Sequence, residues 1–383
     1  MMLGYGYEQT WRLFGFPTMM PSFSDARVMT AGSESYQLGH DPMENNVRDP
    51  WQRRMNYPRC WQILYLVKVD QSFTVPLGLS FIVPFFASLW LFEPKNGWVA
   101  GLLLVLLFSP AVMLGVERGN SDLLIFAMIL ALAVWLQKWP RAAGGLLFFA
   151  AFLKLFPIFA GLALLGLTRD KAVRIGTVVL LAFVAYVLVE ASNLYEAAKV
   201  TEKTPLMAFG TAVLVMAAPM ILGIADPAFL QTATWFVVAV VVMAAVGLRI
   251  ARSGDQDADA DLRCFWAGIA IYLGSFVGLS SNYDYRLVFV IMGVPQLIKW
   301  SGAADGWIKW SARIMIGALV FSTWSILMFN HAGGIDSFRF RAIYWVDQTC
   351  KWLIFANGFC LLLATLPGWF PWRTFAKEPA SAG

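Results

Sequence analysis

The sequence predicts an all-α polytopic membrane protein, a bundle of about eleven transmembrane helices preceded by one long polar segment. Three observations carry this expectation. The 383-residue chain is 59% hydrophobic and only 14% charged, whereas a water-soluble domain carries about 25% charged residues with which to cover its surface. Apolar runs follow one another almost without pause, and roughly 20 such residues suffice to cross a hydrocarbon core about 30 Å thick. Polar residues gather ahead of these runs, in residues 1–59. A disordered chain, a nucleic-acid-binding protein and a secreted disulfide scaffold all fit this composition poorly.

Residues 1–59 interleave Asp25, Glu34, Asp41, Glu44 and Asp49 with Arg27, Arg48, Arg53, Arg54 and Arg59. They read as an outer, extracytoplasmic loop. The first 23 residues hold no uninterrupted apolar stretch that would serve as a cleavable signal, since Pro17 breaks the longest one. Residues 60–372 form the transmembrane domain, with spans expected near 73–92, 98–116, 121–137, 142–153, 155–167, 174–190, 228–248, 262–280, 286–300, 311–330 and 347–368. Residues 373–383 are expected to be a cytoplasmic tail. Cys60, Cys264, Cys350 and Cys360 lack the spacing of a disulfide or zinc framework.

The +5 net charge argues orientation, because basic residues collect in cytoplasmic connections. Lys95, Lys138, Arg141, Arg169–Arg174, Arg249–Arg263 and Lys299–Arg313 would then lie inside, and the remaining connections outside. The run 142–167 has basic loops on both sides, so it reads as two short helices meeting near Lys154 and packed against protein. Residues 206–224 would make the number of crossings odd, so they are expected to lie in the outer interface or to re-enter. An outer N-terminal loop also needs something to carry it across, and a membrane helix ahead of Met1 is therefore expected.

Ionisable groups within or at the edge of spans ask for a reason, since one at a helix centre costs about 2.5–3.5 kcal/mol. In this topology Asp25, Glu117, Arg118, Asp122, Lys154, Asp284, Arg286, His331, Arg339 and Arg341 all fall at outer helix ends. Such a cluster suits a charged ligand with an apolar tail. The segments FSDARVMTAGSESYQLGHDP and DPWQRRMNYPRCW, followed by VERGNSDLLIF, GGLLFFAAFLKLFP and SNYDYRLVFVIMGVPQL, resemble in order and spacing the elements of membrane glycosyltransferases of the GT-C type, glycosyltransferase family 87 in particular. The resemblance runs from about residue 20 to 300.

It implies a GT-C-like helical bundle that inverts configuration as it transfers a sugar, with mannose one candidate, from polyprenyl phosphate to a glycolipid or glycan acceptor. The site would be extracytoplasmic in a bacterial inner or plasma membrane, with membrane lipids as surroundings. No metal and no cofactor are expected. Asp25 matches the first-loop Asp of the family and is the candidate catalytic base; the plain alternative is a loop acid or a helix cap formed with Ser24. Lys154 and Arg118 are candidate phosphate ligands, with Arg286 behind them. Asn120 and Asp122 begin a helix that could hold an anion, or are simple caps beside a paired Glu117 and Arg118. Tyr285 would sit at the substrate beside Arg286; in the plain alternative Asp284 and Arg286 pair with each other or anchor the helix end, and Tyr283 and Tyr285 are interfacial aromatics. His331 and Arg339 are weaker candidates for headgroup or acceptor contacts. Asp41 and Asp49, before prolines, read as turn residues, and Trp61, Trp98, Trp324 and Trp345 as interfacial aromatics. A transporter or flippase of a lipid-linked or small polar substrate is the alternative function.

Overall fold

A computed structural model describes residues 6–370 except 225, 252–257 and 280; the expected tail at 373–383 lies outside the described residues. Within them run α1 (Tyr7–Leu13), α2 (Ser24–Gln37), α3 (Thr74–Ser88), α4 (Gly97–Leu107), α5 (Pro110–Arg118), α6 (Asp122–Trp135), α7 (Pro140–Leu153), α8 (Arg169–Val189), α9 (Ala191–Val200), α10 (Ala228–Ala251), α11 (Ala260–Gly278), α12 (Val294–Ser301), α13 (Gly306–Asn330) and α14 (Phe338–Thr365). Two short strands, β1 (Ala208–Phe209) and β2 (Asn282–Tyr283), pair antiparallel with Ala208 opposite Tyr283.

The chain is an all-α polytopic membrane protein, with fewer long spans than the apolar runs suggest. Among the described residues five helices are long and apolar enough to cross: Gln71–Leu91, which contains α3, then α8, Ala228–Arg249 within α10, α11 and α13. The pair α4 and α5, bent by 52°, makes a sixth if it acts as one span. The run 121–137 folds as the short α6, and 142–153 and 155–167 fold as the two short helices expected there, α7 and a 3-10 helix, Phe156–Gly166. At 14 residues α6 is roughly 21 Å long, short of the ~30 Å core. Protein encloses it, with Ile125, Phe126, Ile129 and Leu130 all at 0% exposure. The run 286–300 likewise breaks into short pieces, Asp284–Leu287, Val288–Ile291 and α12. Hydropathy does not separate a helix surrounded by lipid from one surrounded by protein, and this accounts for the excess.

Two helices present the lipid-facing pattern. α8 exposes Val178, Leu180, Leu181 and Leu188, and α10 exposes Phe229, Phe236 and Met243. α11 is their opposite, a central helix buried along nearly its whole length. Its closest approach is at Gly268, where an added Cβ would stand 2.0 Å from the Phe289 carbonyl oxygen. Backbone cannot give way as a flexible side chain can, so Gly268→Ala is expected to destabilise by about 1–3 kcal/mol through overpacking. Gly278→Ala, with open space around its Cβ, serves as the neutral control, and equal thermal unfolding of the two variants in detergent would contradict this packing.

The N-terminal segment is more than a loop. α2 packs Ala26, Val28 and Met29 against Met43, Met55, Tyr57, Trp61, Tyr65 and Phe81. Hydroxyls close the polar gaps inside this small core, Thr30 with Thr74 at 2.7 Å and Ser35 with Asn46 Oδ1 at 2.8 Å. Trp61 is therefore a core residue rather than an interfacial one: its ring is buried and Nε1 donates to the Leu153 carbonyl at 3.0 Å. Trp98 and Trp345 are exposed. Residues 206–224 form no spanning helix; they contribute β1, a five-residue helix at Val213–Ala217 and one wide turn at Ala218–Leu222.

Candidate functional site

The junction of α5 and α6 is the keystone. α5 stops at Gly119, whose φ of 58° is left-handed, a conformation open to glycine at little cost. The chain then turns so that Asn120 Oδ1 accepts the Asp122 amide at 2.7 Å. Asp122 thus stands at the N-terminus of α6, where the helix dipole favours an anion. The opposite end of α6 receives a cation, since the buried Arg263 donates to the carbonyls of Ala133 at 2.8 Å and Val134 at 3.3 Å.

Asp122, 1% exposed, gathers two cations from distant parts of the chain. Its Oδ1 lies 2.5 Å from Lys154 Nζ and its Oδ2 accepts from Arg286 Nε at 3.0 Å. Lys154 is the extended residue that ends α7 before the Leu155–Phe156–Pro157 break, the meeting of two short helices expected from sequence. Arg286 belongs to the 3-10 turn after β2, and it also donates to Asn282 Oδ1. Two positive charges thus share one carboxylate. Rings lie beside both cations, Tyr57 beside Lys154 at 5.2 Å and Phe156 beside Arg286 at 4.6 Å.

Asp25 joins this group through Asn120. Because Asn120 Oδ1 is committed to the Asp122 amide, its Nδ2 is the end that donates, and it does so to Asp25 Oδ2 at 2.5 Å. The same Oδ1 lies 3.4 Å from Lys154 Nζ, so one amide spans the distance between the acid and the amine. Arg53 Nη1 stands 3.8 Å from Asp25 Oδ1, the guanidinium being held there through Nη2 by Asp49 at 3.0 Å and the Ser24 carbonyl at 2.7 Å. Asp25 is the second residue of α2, and Ser24 does not cap the helix, which removes the capping alternative for this pair.

These groups border a cavity of about 670 Å³. Seven cations line it, Arg53, Arg54, Arg118, Lys154, Lys199, Lys203 and Arg286, against the two acids Asp25 and Glu202. Several of these cations are paired with acids set behind the lining, Arg53 with Asp49, Arg118 with Glu117, and Lys154 and Arg286 with the single Asp122. Tyr57, Tyr283 and Tyr285 supply aromatic walls, the last two stacked with ring centres 5.6 Å apart. Burial, reinforced by Asp25 and Asp122, pushes the Tyr57 hydroxyl well above its ordinary value, so at neutral pH it remains a hydrogen-bond donor.

Asp25, Arg118, Lys154, Tyr285 and Arg286 line the cavity, while Asn120 and Asp122 stand directly behind it. Arg118 is also paired with Glu117 at 3.1 Å, as one sequence reading had it. Asp284 and Arg286 do not pair with each other: Arg286 turns to Asp122 and Asp284 to Lys351. His331 and Arg339 lie elsewhere. Both are exposed, away from the lining, and His331 Nδ1 contacts the Leu327 carbonyl at the end of its own helix. Loop parity had grouped them with the site, but parity carries no lateral distance. Asp41 and Asp49 are turn residues as expected, accepting the amides of Met43 and of Trp51 and Arg53.

Sequence reasoning passed over Arg53 and Tyr57 as site residues, although both lie in the RRMNYP stretch that carries part of the family resemblance. It also passed over Lys199 and Lys203, which reach the cavity from α9 and its exit. Comparison with known proteins adds no relative: no family model, curated protein or solved structure matches this chain. Fold and site together define a polytopic helical membrane protein with a cation-lined cavity at the α5–α6 junction. Its function is argued from that cavity.

Proposed function

We propose that this protein is a membrane glycosyltransferase that moves a sugar from a polyprenyl-phosphate donor to a glycolipid or glycan acceptor. The observation that carries the reading is the carboxylate of Asp25 and the Lys154–Asp122–Arg286 cation pair, brought by Asn120 to one cation-lined cavity. In the reaction an acceptor hydroxyl attacks the anomeric carbon from the face opposite the phosphate, which inverts configuration. Asp25 takes the hydroxyl proton as the new C–O bond forms. The bond from the anomeric carbon to the phosphate oxygen breaks, and the leaving phosphate keeps the electron pair and gains one negative charge. Lys154 and Arg286, one unit positive in excess of Asp122, match that gain, and Arg118 adds a planar donor fork. Stacked Tyr283 and Tyr285 offer a face for the sugar. We read the cavity as extracytoplasmic, in a bacterial plasma membrane, and the basic residues of the connections at the other helix ends support that orientation.

Lys154→Met tests the phosphate role, because it leaves Asp122 paired with Arg286 and so disturbs the fold least. Polyprenyl phosphate is expected to bind the purified wild-type protein in nanodiscs and to lose at least about tenfold in affinity in the variant, a loss of ~1.4 kcal/mol. The uncharged polyprenol is expected to bind weakly to both. Equal affinity of the two proteins for polyprenyl phosphate would remove Lys154 from the phosphate site.

A further inference from the structure

A second buried ion cluster lies behind the cavity wall, and glycosyl transfer does not use it. Lys351 of α14, 0% exposed, places Nζ 2.6 Å from Asp347 Oδ2, 2.8 and 2.9 Å from the two oxygens of Asp284, and 3.1 Å from the Ala208 carbonyl. Those partners use all three ammonium donors. Asp284 and Asp347 are 0% and 1% exposed.

The groups around the cluster leave its charge uncorrected. α11 contributes Tyr272, whose hydroxyl donates to the Lys351 carbonyl at 2.8 Å. α13 contributes the neutral Ser322 and Ser325 beside Asp347. α14 itself adds Tyr344, its hydroxyl buried and unpartnered, and the half-buried Cys350. Gln348 Nε2 is 3.0 Å from the Ala208 carbonyl and 3.5 Å from Asp347 Oδ2. Arg286, the nearest cation in sequence to Asp284, turns its guanidinium to Asp122 and Asn282 and makes no ion pair with this cluster. Two carboxylates against one ammonium would leave an uncompensated negative charge sealed from water, which is strongly unfavourable. A metal ion is a poor remedy, since the ammonium already stands where the carboxylates converge.

From this geometry we infer that the Asp284–Lys351–Asp347 cluster is a proton-binding site, in which the two carboxyls share one proton at neutral pH and the cluster is electrically neutral. The proton belongs to the pair rather than to one named residue. Its place gives it a consequence. Asp284 sits between the wall residues Tyr283 and Tyr285, and Lys351 ties Asp284 to Ala208 of β1, so the bound proton holds the strand pair and α14 together behind the cavity. The inference rests on this cluster alone and does not require glycosyl transfer.

Infrared spectroscopy of the purified full-length protein in nanodiscs tests it without an activity assay. At neutral pH the wild type is expected to show a protonated-carboxyl C=O band that shifts in deuterated buffer. Both Asp347→Asn and Asp284→Asn are expected to lose the intensity of one carboxyl, since either variant leaves a neutral ion pair, and to remain folded because the amide copies the shape of a protonated acid. Lys351→Met is expected to gain one carboxyl of intensity. If one Asn variant fails to fold, the other decides. A wild-type minus Asn-variant difference spectrum with no protonated-carboxyl loss at neutral pH would overturn the inference.

Discussion

Asp25→Asn is expected to reduce sugar transfer by about 10²- to 10⁴-fold, the contribution of a positioned general base, with little effect on folding. The reason for the small structural effect is local. Asp25 contacts Asn120 through a side-chain amide and Arg53 only at 3.8 Å, and Arg53 keeps its closer partners Asp49 and the Ser24 carbonyl. An amide at position 25 keeps the shape and still offers an oxygen to Asn120 Nδ2, but it cannot take a proton from an acceptor hydroxyl. The loss should therefore fall on turnover, with donor affinity unchanged or slightly raised, because removing a negative charge from the lining makes the cavity more positive. Single-turnover transfer from a labelled polyprenyl-phosphate hexose, measured beside thermal unfolding, separates the two effects. Full activity in a folded Asp25→Asn protein would end the assignment of Asp25 as base.

Asp122→Ala is expected to have the largest structural effect in the site. Asp122 is the shared partner of Lys154 and Arg286 at 2.5 and 3.0 Å and is 1% exposed. Its removal leaves two like charges facing each other inside the protein, and breaking a buried pair in this way costs about 3–5 kcal/mol. The same argument gives a diagnostic rescue. Polyprenyl phosphate, occupying the cavity beside Lys154 and Arg286, should restore part of the lost thermal stability and should do so more in the variant than in the wild type. Unfolding temperatures with and without the lipid phosphate measure both effects. A variant as stable as the wild type, with no added response to the lipid, would show that Asp122 is not the hub of the two cations.

Much of the site was legible because polar residues in an apolar chain are conspicuous. Asn120, Asp122, Lys154 and Arg286 each stand at the edge of a hydrophobic run, and the topology put them at one set of helix ends, whereas Asp25, inside the polar segment, was singled out by the family resemblance. The break at Lys154 was readable from Pro157 and from the basic loops on either side of 142–167. The number of spans was not readable, since α6, the centre of the fold, is apolar all round for the same reason a lipid-facing helix is, yet meets protein on its sides. Arg53 and Tyr57 were hidden by turn chemistry around Asp49–Pro50 and Tyr57–Pro58, which explains those residue types without a ligand. Asp347 and Lys351 are one helical turn apart, a spacing that brings side chains together. Only the fold could show that Asp284, more than sixty residues earlier, makes the third member. His331 and Arg339 illustrate the converse, sharing a set of loops with the site but no lateral proximity to it.

The most direct test asks what becomes of the donor's sugar–phosphate bond. Wild-type protein reconstituted in liposomes with polyprenyl phosphate carrying a labelled hexose, and with a mixture of glycolipid acceptors, should release sugar-free polyprenyl phosphate in step with labelled acceptor, and both products should fall together by about 10²- to 10⁴-fold in Asp25→Asn. A donor that stays intact while it crosses from one leaflet to the other, at the same rate in wild type and variant, would contradict the account and make the cavity a passage for a lipid-linked substrate.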